Sequence, residues 1–393
     1  MDGCTLILNA GSSSLKFCVY QQPKTELWQL DARGQIEGIE TSAQFCAKDR
    51  HGKVIDDYKM TDVRDGHTAL DALARWIRSN YRDTGLSGVG HRVVHGGTRY
   101  ARPVVVNRQV LADLYQLIPL APLHQPHNLA AIQAICDRMP DVPQVACFDT
   151  SFHVGHSKLA QIIPLPRDMR NTGLQRYGFH GLSYEYVSFV LPKIAPEIAK
   201  GRVIVAHLGS GASMCALHDG KSVDSTMGFT ALDGLCMGTR PGNIDPGAVL
   251  YLFQNLGLSA KEVETILYKQ SGLLGISGIS NDMRELLDKN DPDARLAVDY
   301  FTYRAAKEIG ALAGSMGGID GLVFTAGIGE NSPEIRRRIC QACTWLGMEL
   351  DAEANENHCP RISTPQSKVS TWVIPTNEEL MIARHTGLLL GSV

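Results

Sequence analysis

The 393-residue sequence lacks an apolar run of the roughly 18 residues that a membrane-spanning helix needs. It also lacks an excess of positive charge: the formal net charge is −3, so no overall basic field would attract nucleic acid or an acidic membrane. Its first residues carry an acidic side chain and no basic segment before a short apolar run, so we expect no signal peptide. These absences favour a cytoplasmic globular protein that binds neither nucleic acid nor membrane.

Two widespread phosphate-binding motifs are absent as well. No segment matches GxxxxGK[ST], which excludes a Walker-type loop. Neither GSGASM nor GIGENS completes the GxGxxG fingerprint of dinucleotide-binding domains. A nucleotide site in this chain would therefore have to be built from other turns.

The ten cysteines show no framework of close spacings, which suits reduced thiols in the cytoplasm. One CxxC pair, Cys340 and Cys343, is followed by His358 and Cys359, and these four side chains could bind zinc. We favour the alternative, a buried helix face, because the pair falls in the helix-like segment RRRICQACTWLGM.

Length and internal similarity indicate two related domains. At roughly 100–200 residues per domain, 393 residues predict two. The strand–turn–strand segment LILNAGSSSLKFCVY recurs as RVIVAHLGSGASMCALHDG, and a shift of 198 residues aligns Gly11 with Gly209 and Ser12 with Ser210. A duplicated α/β domain with a cleft between the copies explains this best; a chance match of two short turns is the alternative.

Several local signals mark helix starts. Asn107 and Asn128 are candidate N-caps, and Ser332 followed by Pro333 begins another helix. That last helix follows the strand GLVF and the glycine-rich segment 325–331. A strand, a glycine turn and a helix together present free N–H groups and a positive dipole end to an anion.

The first hairpin turn carries hydroxyls and a positive charge. Ser12, Ser13 and Ser14 can donate hydrogen bonds, glycine lets the backbone approach closely, and Lys16 adds a compact cation. We therefore predict that the two hairpin turns, one in each half of the chain, grip a polyphosphate.

Four further polar residues lie in short loops or at strand ends: Arg92 in HRVVHGG, Asp149 in CFDTSFH, His180 in RYGFHG and Arg240 in MGTRPGNIDPG. Each alone could be a surface charge or a structural hydrogen-bonding group. Their occurrence in glycine- and aromatic-rich loops beside the predicted phosphate turns favours a catalytic site.

Nine motifs in order carry a resemblance that spans nearly the whole chain. They are LNAGSSSLKF, GHRVVHGG, APLHQPHN, FDTSFH, YGFHGLSY, HLGSGAS, MGTRPGNIDPG, FTAGIGENS and PTNEELMIA. With them the chain resembles the acetokinase family, the acetate kinases, within the actin/hexokinase/Hsp70-like fold. The resemblance implies a homodimer of α/β chains with duplicated actin/ribonuclease-H-like domains and a nucleotide cleft between them. It places an N-terminal domain at 1–149 and a nucleotide-binding domain at 150–378, with a C-terminal helix at about 379–393 returning to the first.

The resemblance also assigns site residues by position. Asn9 and Glu378 match the Mg²⁺-binding positions, with Mn²⁺ able to replace Mg²⁺. The matched catalytic residues are Arg92, Asp149, His180 and Arg240. Substrate binding is implied for Arg92 and for an acyl pocket of Val94, Leu123, Phe179 and Ala231. The ATP-binding positions are Lys16, His207, Leu208, Gly209, Ser210, Gly211, Asp282, Met283, Arg284, Gly327, Ile328, Gly329, Glu330 and Asn331.

Three places depart from the commonest family pattern. Ser210 stands where asparagine is usual, and Pro241 and Asn243 stand where serine and aspartate are usual. Ala231 replaces the usual proline of the acyl pocket. The last change bears on which acyl chain the pocket accepts.

The implied reaction is reversible transfer of the ATP γ-phosphate to acetate, giving acetyl phosphate and ADP. A carboxylate acceptor is already ionised at pH 7, so the obstacle is the approach of two anions, which positioning and charge neutralisation overcome. We expect Arg92 to bind the acceptor, Arg240 and His180 to stabilise the transferring group, and Asp149 to orient Arg240 or a metal-bound water. No nucleophilic side chain is needed, which favours direct in-line transfer.

Two other functions stay open at this point. One is the same chemistry on propionate or on a range of short-chain acids. The other is a non-catalytic ATP-binding module, because the same fold also serves chaperones and filaments. Arg92, Arg240 and His180 favour the kinase, since a chaperone needs no clamp for a carboxylate.

Overall fold

The computed structural model describes residues 3–11, 13–21, 28–39, 41–82 and 85–391, except the side chains at 170 and 171. Ser12, a predicted phosphate donor, and residues 392 and 393 of the predicted C-terminal helix lie outside the described residues. Within these ranges the strands are β1 (Cys4–Ala10), β2 (Ser14–Gln21), β3 (Gln29–Glu37), β4 (Gln44–Asp49), β5 (Val54–Lys59), β6 (Leu86–Val93), β7 (Val104–Val105), β8 (Gln144–Phe148), β9 (Arg202–Leu208), β10 (Ala212–His218), β11 (Lys221–Ser225), β12 (Gly321–Thr325) and β13 (Ser370–Val373).

The helices are α1 (Gly66–Asn80), α2 (Arg108–Gln116), α3 (Gln125–Arg138), α4 (Lys158–Gln161), α5 (Gly181–Ile194), α6 (Pro246–Gln254), α7 (Ala260–Thr265), α8 (Gly272–Ser277), α9 (Met283–Asp288), α10 (Pro292–Met316), α11 (Ala326–Asn331), α12 (Pro333–Ala342), α13 (Ala352–Glu356) and α14 (Glu378–Leu390). Short 3₁₀ turns lie at Ile118–Leu120, Ser151–His153, Arg167–Thr172 and Thr344–Leu346, and one π-helical turn lies at Ile266–Gln270. None of the helices within the described residues combines the length and the apolar character that crossing a membrane requires.

The chain folds into two compact units, Met1–Ser151 with Asn377–Val393, and Phe152–Thr376. In the first unit, eight strands form one sheet in the order β5-β4-β3-β2-β1-β6-β8-β7. Strands β1 to β5 pair antiparallel, whereas β6 runs parallel to β1 and β8 runs parallel to β6. Helix α1 buries Leu70, Leu73 and Ile77 against the core, and each such side chain stabilises the fold by about 1.5–3 kcal/mol.

Helix α14 packs directly on β6 in the first unit. A Cβ atom on Gly90 would lie 2.5 Å from Oγ1 of Thr386 and 2.6 Å from Cγ2 of Ile382, so only glycine allows this approach. The side chain of Asn377 caps the helix by accepting from the N–H of Leu380 at 2.9 Å. Glu378 therefore stands in the first turn of a helix that the sheet holds in place.

The second unit repeats the strand topology of the first. Its sheet has the order β11-β10-β9-β12-β13, with β9, β10 and β11 antiparallel and β12 parallel to both β9 and β13. The first unit has the same arrangement in β3-β2-β1-β6-β8. The predicted duplicated α/β fold is confirmed, and the 198-residue shift carries β1 onto β9 residue for residue. The turns differ in length, because Ala10 pairs with Leu15 but Leu208 pairs with Ala212.

Two local predictions were wrong. Asn128 is not an N-cap: α3 begins at Gln125, and Asn128 is buried inside that helix. The glycines after β12 do not form an open turn, because Ala326–Asn331 is itself a short helix. The N-caps at Asn107 and Ser332 are confirmed, since their side chains accept from the N–H groups of Val110 and Ile335.

Candidate active site

Arg92 and Asp149 form a bidentate ion pair in the first unit. Arg92 lies near the carboxyl end of β6, and Asp149 directly follows the neighbouring parallel strand β8. Nε of Arg92 donates to Oδ1 of Asp149 at 3.0 Å, and Nη2 donates to Oδ2 at 2.6 Å. The side chain of Asp149 is only 2% exposed, so the pair fixes the plane of the guanidinium within the protein.

Asn9 and Glu378 complete this polar edge of the first sheet. Oε2 of Glu378 lies 3.7 Å from Nε of Arg92, and Nη1 of Arg92 donates to Oδ1 of Asn9 at 3.4 Å. Lys16 is the cross-strand partner of Asn9 in the β1–β2 register. The structure therefore brings together the predicted metal-binding positions, the predicted substrate arginine and the predicted phosphate lysine of this unit.

Negative charge is in excess here. Burial, together with the negative charges of Asp149 and Glu379, raises the pKa of Glu378 to about 7, although Arg92 and Lys16 oppose the shift. Three carboxylates thus face two cations in this cluster. Carboxylate and amide oxygens are the ligands that Mg²⁺ prefers, and a divalent cation would reverse the charge imbalance. The donor set at Asn9 and Glu378 therefore fits the metal that the resemblance implies.

Asn128 ties the ends of β1 and β6 together. Its Oδ1 accepts from the N–H of Val94 at 3.1 Å, and its Nδ2 donates to the carbonyl of Ala10 at 2.7 Å. Val94, a predicted acyl-pocket residue, is buried beside this link, and Leu123 is half-buried in the loop before α3. Sequence reasoning missed this role, because its partners are distant in the chain.

His180 is held in an unusual backbone conformation in the second unit. It precedes α5 with φ of 56°, in the left-handed region that non-glycine residues rarely adopt. Phe179 directly precedes His180, and its carbonyl oxygen lies 2.9 Å from Nε2 of the buried His153. The ring of His180 stacks on that of His207 with centroids 4.2 Å apart, and its Nδ1 lies 2.8 Å from Oγ of Ser213.

Arg240 and His180 converge on Gly211. A Cβ atom on Gly211 would lie 2.7 Å from Nη2 of Arg240 and 3.5 Å from Nε2 of His180. Nη1 of Arg240 donates to the carbonyl oxygen of Ala231 at 2.8 Å, and burial lowers the pKa of the guanidinium. Within the described part of the chain, no carboxylate lies within ion-pair distance of Arg240. A cation and an imidazole thus flank one small space beside a backbone turn, an arrangement suited to an anion.

The remaining predicted nucleotide segments have well-defined local structures. Nδ1 of His207 lies 2.8 Å from Oγ of Ser183, Leu208 is buried, and the carbonyl of Ser210 accepts from the N–H of Gly238 at 3.1 Å. Gly209 is the first residue of the turn that Gly211 ends.

Two of these segments begin helices. Asp282 caps α9 by accepting from the N–H of Arg284 and also pairs with its guanidinium, while Met283 is buried between them. In α11, Glu330 accepts from the N–H of Ala326 at 2.7 Å and from that of Thr376 at 3.1 Å. The side chain of Asn331 donates to the carbonyl of Gly327, Ile328 is half-buried, and Gly329 is buried against Phe324.

The CxxC pair is buried and protonated. Cys340 lies in the last turn of α12 and Cys343 caps it, and burial raises the pKa of both thiols to about 12. Nδ1 of His358 lies 3.0 Å from the carbonyl oxygen of Glu330. Among the described residues, no group of three or more His, Cys, Asp or Glu side chains is placed to hold a metal ion.

Comparison with known proteins agrees with this architecture. Two sheets of repeated topology, as described above, define an α/β protein of the actin/hexokinase-like fold. The acetokinase family model matches residues 4–384. The acetate kinase of Nitrobacter hamburgensis is 51% identical over 387 residues, covering 98% of this chain and 96% of that protein. The acetate kinase of Rhodopseudomonas palustris is 49% identical over 391 residues, covering 98% of both.

Two solved structures are similar throughout. The acetate kinase of Porphyromonas gingivalis has a TM-score of 0.87 at 36% identity, covering 99% of this chain and 100% of that one. A propionate kinase from Francisella tularensis has a TM-score of 0.91 at 39% identity, covering 98% and 100%. The chain belongs to the acetokinase family, and with it to the kinases that transfer a phosphoryl group to a carboxylate.

Proposed function

We propose that this chain is an acetate kinase that catalyses reversible, Mg²⁺-dependent transfer of the ATP γ-phosphoryl group to acetate. The observation that carries the proposal is the space beside Gly211. There, Nη2 of Arg240 and Nε2 of His180 converge, and within the described residues no carboxylate pairs with the arginine. A buried guanidinium without a carboxylate partner gains most from an anion, and a phosphoryl group supplies three oxygens.

Arg240 and His180 stabilise the transferring phosphoryl group in this proposal. The negative charge of that group spreads over its equatorial oxygens as it passes in line from donor to acceptor. Two fixed donors that meet at one point need little reorganisation when this charge develops. Neither residue has to exchange a proton or form a covalent bond, so transfer is direct.

Arg92 binds the acceptor carboxylate, and Asp149 holds Arg92. The bidentate pair uses Nε and Nη2 of Arg92 and leaves Nη1 directed to Asn9. This role for Asp149 adds to the expectation that it orients Arg240 or a metal-bound water, because its carboxylate accepts two hydrogen bonds from Arg92 and has further acceptor sites. Asp149→Asn should therefore lower kcat by weakening the hold on Arg92.

Asn9 and Glu378 would hold Mg²⁺, which when bound supplies charge neutralisation for the polyphosphate. The excess of buried carboxylate around Glu378 supports this assignment. ATP binds through Lys16, His207–Gly211, Asp282–Arg284 and Gly327–Asn331. At Gly327 the backbone is open, since a Cβ atom there would have no neighbour within 4 Å. The two compact units are then the two domains of the family, with the nucleotide segments mainly in Phe152–Thr376.

Propionate is a second candidate acceptor, and Ala231 is the observation that favours it. The acyl pocket is assigned to Val94, Leu123, Phe179 and Ala231, and alanine fills less volume than the usual proline. One further CH₂ buried in that space would contribute about 0.8 kcal/mol. Because the carbonyl of Ala231 accepts from Arg240, proline at this position would keep that hydrogen bond.

A coupled assay of ADP release with acetate, propionate and butyrate tests the proposal and its alternative together. One methylene usually changes selectivity by roughly 10–200-fold, but because Ala231 leaves room for it, we expect kcat/KM for propionate to lie within about tenfold of that for acetate. Ala231→Pro should raise the KM for propionate more than that for acetate. No turnover of any of these acids would refute the function, and an unchanged acetate/propionate ratio in Ala231→Pro would remove the role of this position.

The enzyme is a homodimer in this proposal, and α6 supports it. None of the residues of α6 is buried, although its sequence PGAVLYLFQ is mostly apolar. Leu250 and Tyr251 are 53% and 54% exposed, and Leu256 just beyond the helix is 55% exposed. Contiguous exposed apolar surface of this kind marks an interface. Sedimentation of Leu250→Glu should give a monomer, whereas a variant that sediments like the unsubstituted chain would exclude α6 from the interface.

The protein acts in the cytoplasm in this proposal. The ten cysteines carry thiol groups and form no disulfide with one another. Ten cysteines without a disulfide suit a reducing compartment.

A further inference from the structure

We propose that Ser213 and Tyr184 are positioning residues that fix the His180 ring in the tautomer with its proton on Nε2. The inference rests on the proposed function, because it concerns how His180 becomes a donor toward the transferring group. It assigns a chemical role to two buried hydroxyls outside the residues that the family resemblance implied.

The three groups form a continuous hydrogen-bonded chain. Oγ of Ser213 lies 2.8 Å from Nδ1 of His180 and 2.5 Å from the hydroxyl oxygen of Tyr184. Ser213 and Tyr184 are both 0% exposed, so water does not compete at either hydroxyl. Tyr184 lies four residues after His180, so its ring projects from the same face of α5. Ser213 lies on β10, two residues after Gly211, and pairs with His207 on β9.

The direction of the chain follows from counting protons. A neutral imidazole has one N–H, and the serine hydroxyl has one hydrogen to give. If Ser213 donates to Nδ1 of His180, Tyr184 donates to Ser213 and the ring proton lies on Nε2. If Nδ1 instead carries the proton, Ser213 accepts it and donates to Tyr184. Nε2 then presents a lone pair.

The surroundings of Nε2 select the first arrangement when an anion is bound. Nε2 and Nη2 of Arg240 approach the same point beside Gly211. A lone pair at Nε2 would repel phosphoryl oxygens there, whereas an N–H would donate to them alongside the guanidinium. The stacked ring of His207 holds the plane of the His180 ring. Ser213 therefore sets the tautomer, and Tyr184 sets the direction of the Ser213 hydroxyl.

Nitrogen NMR of histidine-labelled enzyme reads the tautomer directly. The His180 signals are assigned by their loss in His180→Asn, and spectra are recorded with MgADP and inorganic phosphate. We expect Nδ1 to be the unprotonated nitrogen and Nε2 the protonated one. A protonated Nδ1 with an unprotonated Nε2 would overturn the proposal. This measurement needs no variant at Ser213, so it decides even where such a variant does not fold.

Steady-state kinetics of three variants tests the consequence for turnover. Ser213→Ala should lower kcat by between about tenfold and several hundredfold with small changes in KM, because a preorganised donor is lost from part of the population. Ser213→Thr keeps the hydroxyl and should recover much of the loss. Tyr184→Phe should act in the same direction with a smaller effect. Near-normal kcat in folded Ser213→Ala and Tyr184→Phe would refute the inference.

Ser225→Ala provides a matched control. Ser225 is a buried serine at the end of the neighbouring strand β11, and its hydroxyl has no hydrogen-bond partner in the structure. Loss of this hydroxyl should leave kcat unchanged. Failure of the proposed function would be distinct, since the unsubstituted enzyme would then show no phosphoryl transfer to any of the acids tested. An equal loss of kcat in Ser225→Ala and Ser213→Ala would show that any buried hydroxyl has this effect and would overturn the tautomer role.

Discussion

Substitution of Gly211 by alanine should disturb the point at which Arg240 and His180 converge without destabilising the fold. Gly211 is not among the residues with positive φ, so alanine can adopt its backbone conformation without strain. The added methyl carbon would lie 2.7 Å from Nη2 of Arg240 and 3.5 Å from Nε2 of His180. The first distance is shorter than a carbon and a nitrogen can tolerate, and the second is ordinary contact.

The arginine must therefore move, and we expect the effect to appear as a lower kcat rather than as a lower folding stability. Its head is the far end of a flexible side chain, so a displacement of several tenths of an ångström relieves the clash at little cost in folding free energy. The methyl group also occupies the space in which we place a phosphoryl oxygen. Removing one preorganised donor typically costs about 10²–10³ in kcat, and blocking the space adds to this loss. We expect Gly211→Ala to lose at least about 10²-fold in kcat.

Steady-state kinetics and urea unfolding of the same preparation test whether Gly211→Ala lowers kcat while the folding free energy stays unchanged. Gly155→Ala is the matched control, because a Cβ atom on Gly155 would have no neighbour within 4 Å and its φ is not positive. It should match the unsubstituted enzyme in kcat and in unfolding midpoint. If folded Gly211→Ala kept kcat within about twofold, the space beside Gly211 would not be where the phosphoryl group passes.

Three further predictions use other parts of the site and core. Arg92→Ala and Arg240→Ala should each lower kcat/KM by roughly 10²–10⁴, and lysine should restore little because a point charge cannot replace a bidentate fork; near-normal turnover in either folded variant would contradict its role. Lys16→Ala should raise the KM for ATP while leaving the urea midpoint unchanged, and severe destabilisation would mark the lysine as structural. Burial lowers the pKa of His91 to about 4. Below pH 6.5 the unfolded chain therefore binds a proton that the folded chain does not, and the folded state loses stability as the pH is lowered. The unfolding free energy of the unsubstituted protein relative to His91→Gln should thus fall by roughly 1.2 kcal/mol for each unit by which the pH is lowered from 6 to 4.5, and a pH-independent difference would refute the linkage.

Features that depend on neighbouring residues were predictable from the sequence. The two hairpins follow from apolar runs on either side of a glycine turn, and their spacing of 198 residues revealed the duplication. The N-caps at Asn107 and Ser332 each depend on a hydrogen bond between groups only three residues apart in the sequence. Local chemistry decides these elements before any tertiary contact forms.

Features that depend on distant partners were not predictable in the same way. Asn128 has the composition of an N-cap, but its hydrogen bonds go to Val94 and Ala10, which only the assembled sheet brings near. The partner of Asp149 is Arg92, 57 residues earlier, and this pairing requires knowing that β6 and β8 are neighbours. Ser213 gave no signal, because a serine in a buried strand has no distinctive pattern.

The duplicated topology explains why similar backbones carry different chemistry in the two units. The strand ends of β6 and β8 in the first unit correspond to those of β12 and β13 in the second. In the first unit these ends carry Arg92 and Asp149, a charged pair that keeps one guanidinium nitrogen directed to Asn9. In the second, the short helix α11 follows β12, and Glu330 satisfies the N–H of Thr376 after β13. The first edge thus presents a pair of charged side chains, whereas at the second edge the Glu330 carboxylate accepts from the backbone N–H groups of Ala326 and Thr376. The side chains at the strand ends, rather than the shared fold, therefore set what each unit can bind.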